Sequence, residues 1–183
     1  MVKQEVGKDI WLIENFLSAE ECAALIQLSE TKGYERAKVN LNGTQTDMPS
    51  VRDNDRVLHF DTPLANQYWL RLREFMPKEG QSEPIGLNEL WRFYRYQPGQ
   101  RFRKHRDGSY FRSEFEASFY TFIVYLNDDF EGGATSFGDL QITPKIGMAL
   151  IFAHAIRHEG LATTSGLKYV LRSDIMYKLK FDA

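Results

Sequence analysis

From Asn88 to Leu179 the chain is a succession of short segments rich in β-branched and aromatic residues: "NELWRFYRY", "SFYTFIVYLN", "GATSF", "LQITP", "MALIFA" and "KYVLRSDIMYKL". Turn-forming pairs punctuate them at Pro98-Gly99, Asn127-Asp128, Gly132-Gly133 and Gly138-Asp139, and Lys145-Ile146-Gly147 adds a further turn. Segments this short, joined by turns this tight, have no room for crossover helices, so the strands must pair antiparallel. Helical patterns are confined to the part before Gly86. Helices first and a run of strands after predict an α+β chain whose β body closes as a barrel or as two facing sheets.

The first helix starts at Ser18, which can cap it, with Glu21 three residues on completing a capping box. Cys22, Leu25, Ile26 and Leu28 supply a buried stripe, and Gly33 supplies the stop. A second helix begins at Thr62-Pro63, runs through Leu64, Tyr68, Leu72 and Phe75, and ends at Pro77. A strand over Ile10–Ile13 precedes the first helix. The polar stretch from Arg36 to Arg56 reads as a long loop with the composition of a lid.

At 183 residues the chain has the length of one domain. Residues 1–85 are expected to give helical support and a lid loop, and residues 86–180 the β-barrel. A net charge of −2 exerts no general attraction for nucleic acid or anionic membranes, and no apolar run approaches the length of a membrane span. The single cysteine, Cys22, excludes an internal disulfide. The opening residues "MVKQEVGKDIWLIENF" lack the apolar core of a secretory leader. A cytoplasmic location is expected.

Chemistry enters with "FRKHRDGSY". Residues two apart on a strand project to one face, so His105 and Asp107 can reach one metal ion together. A third ligand must come from His59, His154 or His158. Two histidines and a carboxylate form the facial triad of non-haem iron(II) oxygenases. A strand-end ion pair would give the same short motif. In the last strand Tyr169, Leu171 and Ile175 share an apolar face, and Lys168, Val170 and Arg172 share the other. Were that second face to point inward, two buried cations would require an anion; on a half-exposed strand it would simply face water.

These segments resemble the iron(II)- and 2-oxoglutarate-dependent dioxygenases, in their prolyl 4-hydroxylase-like branch. "RYQPGQRFRKHRD" is similar to that family's lead into the His-X-Asp ligands, and "TFIVYLNDDFEGGATSF" to its YLN…GG-x-T-x-F hairpin. "PKIGMALIFAHAIRHEGLATTSGLKYVLRSDIMY" resembles the segment with the distal histidine and the 2-oxoglutarate anchor. The likeness covers about Asn88 to Tyr177.

The resemblance implies a double-stranded β-helix, the jelly-roll or cupin-like barrel, with iron held by His105, Asp107 and His158. It prefers His158 to His154 because "HEG" begins ten residues before Lys168. Tyr96 and Tyr125 would line the 2-oxoglutarate pocket, with Lys168 or Arg172 as anchor. The cofactors implied are Fe(II), 2-oxoglutarate as co-substrate and O2, with room for stimulation by ascorbate. The reaction implied is hydroxylation of an aliphatic carbon of a protein side chain, amino acid or small molecule, releasing succinate and CO2. Related halogenases lack the carboxylate ligand, so Asp107 argues for hydroxylation.

The apolar lining around the metal would come from residues such as Phe122, Ile142 or Phe152. Arg52 and Arg92, with Arg56 beside them, suggest an anionic group on a small-molecule, amino-acid or peptide substrate. Two other readings stay open. The basic run Arg92, Arg95, Arg101, Arg103, Lys104 and Arg106, interleaved with aromatics, would also suit a nucleic-acid demethylase on the same scaffold. A non-enzymatic β-barrel that binds a small molecule would need no metal.

Overall fold

The computed structural model describes residues 2–41, 44–46, 48 and 50–180. The chain opens with β1 (Val2–Gly7) and β2 (Ile10–Glu14), followed by α1 (Ala19–Lys32). Then come β3 (Glu35–Arg36), β4 (Val39–Leu41), β5 (Thr44–Thr46), β6 (Asp55–Phe60) and α2 (Thr62–Leu72), which tightens into a 3-10 turn at Arg73–Phe75. The β body follows: β7 (Glu83–Leu87), β8 (Leu90–Tyr96), β9 (Phe102–His105), β10 (Phe111–Ser113) and β11 (Glu116–Tyr125). It continues through β12 (Glu131–Gly132), β13 (Thr135–Phe137), β14 (Leu140–Ile142) and β15 (Ala149–Ala153). β16 (His158–Gly160), β17 (Thr163–Ser165) and β18 (Lys168–Lys178) complete it.

The strands pair antiparallel into a major sheet ordered β1-β2-β15-β11-β18-β8-β6-β3 and a minor sheet ordered β14-β13-β16-β9. Apolar side chains of the two sheets meet in one cluster, where Tyr94, Tyr125 and Val170 lie with Ile142 and Phe152. The opposite face of the major sheet buries a second core under the helices, built on Phe16, Tyr68, Trp91 and Phe122. Phe16 meets Tyr68 and Phe122 edge-on, at centroid distances of 5.7 and 5.2 Å. Each such ring contributes roughly 1.5–3 kcal/mol by leaving water. Helices on one face and a second sheet on the other are the architecture expected of a double-stranded β-helix. No helix among the described residues is long and apolar enough to cross a membrane.

The capping box forms as the sequence predicts: Glu21 N donates to Ser18 Oγ at 3.2 Å, and Ser18 N donates to Glu21 Oε2 at 2.9 Å. Glu21 also receives Arg71 at 2.6 Å and so ties α1 to α2. α2 is capped by Asp61, one residue before the predicted start. Its α-helical part stops at Leu72 rather than Phe75. Met76 is extended, as a residue before proline must be.

The stretch from Arg36 to Arg56 departs from a loop. β4 pairs with β5, Val39 opposite Thr46, and β6 begins at Asp55 and pairs with β8 in the major sheet. Residues 42, 43, 47 and 49 of the expected lid lie outside the described residues. The first 85 residues therefore supply strands to the main sheet as well as helices. β1 was missed because "VKQEVG" is mostly polar. It is an edge strand, paired only with β2 and largely exposed, so few apolar positions mark it.

Candidate active site

His105 ends β9 and His158 begins β16. Their Cα positions are partners across the minor sheet, and their rings lie 4.3 Å apart. Asp107 follows two residues after His105, held by a bond from its N–H to His154 O at 3.2 Å. One ligand atom from each of His105, Asp107 and His158 lies within 4.8 Å of the others. His105 Nε2 is 3.6 Å from Asp107 Oδ1, and His158 Nε2 is 3.7 Å from Asp107 Oδ2.

The ring tautomers follow from the opposite nitrogens. His105 Nδ1 donates to Arg103 O at 2.7 Å, and His158 Nδ1 donates to Ile156 O at 3.0 Å. Both Nε2 lone pairs are thus left facing Asp107, the usual arrangement of metal-binding imidazoles. Burial draws the His158 pKa down to about 4 and keeps the ring neutral. Burial would raise Asp107, but the Arg172 guanidinium and the hydrogen bond from Thr121 outweigh it and hold the carboxyl well below its ordinary value. Two neutral imidazoles and an ionised carboxylate are the donor states a divalent ion requires, and the set suits iron(II).

His154 is excluded as a ligand because both its ring nitrogens are engaged. Asp107, being ionised, only accepts, so Thr121 Oγ1 gives its proton to Asp107 Oδ2 at 2.5 Å. Thr121 must then accept from His154 Nδ1–H at 2.9 Å, which leaves Nε2 to accept from Ser118 Oγ at 2.9 Å. Ser118 Oγ accepts in turn from Tyr110 N–H at 2.8 Å. Every proton in this chain has one place to go. A bulge between Ser118 and Tyr120 makes it possible by turning Ser118 to the side that Thr121 occupies. The remaining histidine, His59, sits on β6 and pairs with Asp61 at 3.3 Å, away from this cluster.

Beside the three residues opens a cavity lined by Tyr94, Tyr96, Ile123, Tyr125, Lys168 and Val170 among others. Strand register explains the lining. Lys168 lies opposite Tyr96, and Val170 lies opposite Tyr94 on one side and Tyr125 on the other. The second face of β18 does point inward. The two cations on it differ in company, however. Arg172 Nη2 is 3.0 Å from Asp107 and 3.3 Å from Asp174. Lys168, 3% exposed, donates to Gly133 O at 2.6 Å and lies 5.1 and 5.6 Å from the Tyr96 and Tyr125 rings. No carboxylate meets it among the described residues, and burial draws its pKa down to about 7. Gly133, at φ 65°, is required here: a Cβ would lie 3.0 Å from the Lys168 chain.

Two expectations need correction. Phe122 faces the helices, not the cavity, because Thr121, Ile123 and Tyr125 take the inward positions of β11. Arg92 is held by Asp174 at 2.9 Å and is not among the residues lining the cavity. Arg52 is not among the lining residues either; it lies over the rings of Tyr94 and Phe102, which are, with its guanidinium carbon 4.0 and 4.4 Å from their centroids. Tyr94 went unrecognised in the sequence, although Tyr96 two residues on predicts its direction.

Residues 91–173 match the family model described as the 2OG-Fe(II) oxygenase superfamily. With the donor set on the page, the match over this segment supports an iron(II)- and 2-oxoglutarate-dependent dioxygenase. Solved structures share its fold. The viral collagen prolyl hydroxylase of Paramecium Bursaria Chlorella virus-1, in its 2OG complex, is 22% identical, with 95% of this chain and 98% of that chain covered at a TM-score of 0.68. A prolyl-4-hydroxylase from Pseudomonas putida is 15% identical, covering 91% and 92%, at 0.67. A prolyl hydroxylase from Trichoplax adhaerens, in complex with a hypoxia inducible factor oxygen degradation domain peptide fragment, is 14% identical, covering 91% and 83%, at 0.68. No curated protein matches the chain.

Proposed function

We propose that the protein hydroxylates an aliphatic carbon of a peptide, an amino acid or a small molecule, with His105, Asp107 and His158 holding iron(II). The observation that carries this is the convergence of two Nε2 lone pairs and one carboxylate beside a cavity also lined by Lys168, which no carboxylate meets among the described residues. Bound iron(II), with 2-oxoglutarate and O2, supplies the oxidant: one oxygen atom enters the substrate C–H bond, and the other enters succinate as CO2 leaves.

The chain's own residues do the rest. Lys168 receives the distal carboxylate of 2-oxoglutarate, and Tyr96 and Tyr125 wall its path. Arg172 neutralises Asp107 from behind and keeps it ionised. Val170, Ile123 and Phe102 exclude water from the reacting carbon. Residues 1–183 act in this reading as one domain, since β1, β2, β3 and β6 complete the sheet that bears the pocket. Among the prolyl hydroxylases that share the fold, one is bound to a peptide fragment, which favours a peptide substrate here.

The test is succinate release across a panel of peptides and amino acids with iron(II), paired with mass analysis for one added oxygen. Absence of iron-dependent succinate from every member, including the substrate-free reaction, would remove the reading. The Thr121–His154–Ser118 chain adds a second expectation. Thr121→Val removes the proton donated to Asp107 without changing side-chain shape. Metal affinity, measured by titration with cobalt(II), should fall by about 10–100-fold, and Thr121→Ser should restore it.

A further inference from the structure

We propose that the substrate is an acidic stretch of polypeptide, one carboxylate of which seats on Arg52 while the residue to be hydroxylated enters the cavity. The proposal rests on the dioxygenase reading and adds a substrate class to it. Arg52 is only 5% exposed, yet no carboxylate pairs with it among the described residues. Its Nε donates to Asn54 Oδ1 at 2.6 Å, and its Nη2 is buried without a hydrogen-bond partner. A buried guanidinium nitrogen left unpaired costs free energy unless a ligand completes it.

Its position points to which ligand. Tyr94 and Phe102, the two rings that sandwich the guanidinium, both line the cavity. Phe102 is stacked on His105 at 3.6 Å, so Arg52 stands one ring away from the metal-facing histidine. The backbone fixes it there through a bridge between Arg52 and Phe102 and a bond from Arg103 N to Val51 O at 3.0 Å.

Charge is unbalanced around the pocket. Among the described residues, Arg52, Lys168 and Arg172 beside the cavity, with Arg92 outside its lining, pair with no carboxylate other than Asp107 and Asp174. Iron(II) and the 2-oxoglutarate dianion cancel each other, so the loaded site retains a positive excess. Tyr94 senses it: burial would raise its phenol, but Arg52, Arg172 and Arg92 draw it down to about 8.

The excess continues outward. Arg101, Arg103, Lys104 and Arg106 are exposed on and beside β9, and Arg157 is exposed just before β16, next to the His105–His158 pairing. None forms an ion pair among the described residues. Asp53 on this rim accepts from the Arg101 backbone at 2.7 Å, and Glu159 forms no ion pair with the rim cations. A chain whose net charge is −2 thus gathers unpaired cations at one opening.

A single small carboxylate would use Arg52 and leave the rim idle, whereas an acidic peptide uses both. A nucleic acid would want exposed rings between the cations for base stacking. The aromatic of this stretch, Phe102, is instead packed between Arg52 and His105.

The experiment measures fluorescence anisotropy of a labelled Glu/Pro-rich peptide, its Gln/Pro isostere and an oligothymidylate of equal length. The protein carries cobalt(II) and 2-oxoglutarate, so that nothing turns over. The Glu peptide should bind about tenfold or more tightly than the Gln peptide, with the difference shrinking as salt rises. Arg52→Gln should shrink that difference to the several-fold part that the rim cations supply. The exposed double variant Arg103→Gln/Lys104→Gln should weaken Glu-peptide binding several-fold at an unchanged melting temperature, and it decides the matter should Arg52→Gln not fold. Equal binding of the two peptides, oligothymidylate binding at least as tightly as the Glu peptide, or rim variants that bind like the wild type would overturn the proposal. Cobalt(II) uptake by the wild type is read in the same preparation. Its failure would count against the dioxygenase reading, and uptake without glutamate preference would count against this inference alone.

Discussion

Alanine at His105, Asp107 or His158 should abolish 2-oxoglutarate turnover and weaken metal binding by more than about 100-fold. That exceeds the 10–100-fold typical of residues one step behind the ligands. The effect on folding should differ between them. The two histidines lose a backbone hydrogen bond each and leave space that opens onto the cavity. Asp107→Ala instead strips Arg172 of one of its two carboxylates and Thr121 of its acceptor. Breaking a buried pair from one side is expensive, about 3 kcal/mol. Asp107→Ala should therefore melt well below both histidine variants, while all three lose cobalt(II) binding in titration. Wild-type metal affinity in any one of the three would refute its role as a ligand.

Lys168→Met should raise the Michaelis constant for 2-oxoglutarate by about 10–100-fold, the worth of a charge-assisted hydrogen bond, and change that for the substrate little. Arg172→Met should act elsewhere, on metal affinity, because its guanidinium is already spent on Asp107 and Asp174. Reversed effects in the two variants would make Arg172 the anchor. The pH dependence has a definite sign. Burial holds Lys168 at about 7 against an ordinary 10.5. The ammonium that grips a carboxylate is thus present below about 7 and must be recovered by proton uptake above it. Affinity for 2-oxoglutarate should fall as pH rises past about 7, by at most about tenfold per unit, which calorimetry in buffers of different ionisation enthalpy would show. The linkage to folding runs the other way. A lysine depressed in the folded state contributes stability that is full above 10.5 and lost as pH falls through about 7. At neutral pH the empty Lys168→Met protein should melt above the wild type.

Much of this site was legible as residue types in order. The alternation of β18 separated Lys168, Val170 and Arg172 from Tyr169, Leu171 and Ile175, and the structure puts the first set inward. The same rule, applied from Tyr125 and Tyr96, would have found Ile123 and Tyr94 and spared the misassignment of Phe122. Ser118 could not be found that way, because the bulge after it shifts the count by one residue. Nor could alternation rank Lys168 against Arg172, since the difference lies in Asp107 and Asp174, whose distances depend on tertiary packing. The helix ends were written locally, in Ser18-x-x-Glu21 and Gly33. β6 was hidden because "DRVLHF" belongs in the major sheet through its pairing with β8, a partner thirty or more residues away in sequence.

β18 is bonded along this stretch to β8 on one side and β11 on the other, so it can neither stretch nor shorten. Lys168 and Arg172 are four residues apart on it, roughly 13 Å at the rise of a strand, and Arg172 is fixed at the metal end by Asp107. The strand is therefore a caliper for the length of the keto acid. Oxaloacetate, one methylene shorter, and 2-oxoadipate, one longer, cannot reach both Lys168 and a metal ion held beside Asp107 at once. Each should be disfavoured by the 1–3 kcal/mol that a single methylene commands.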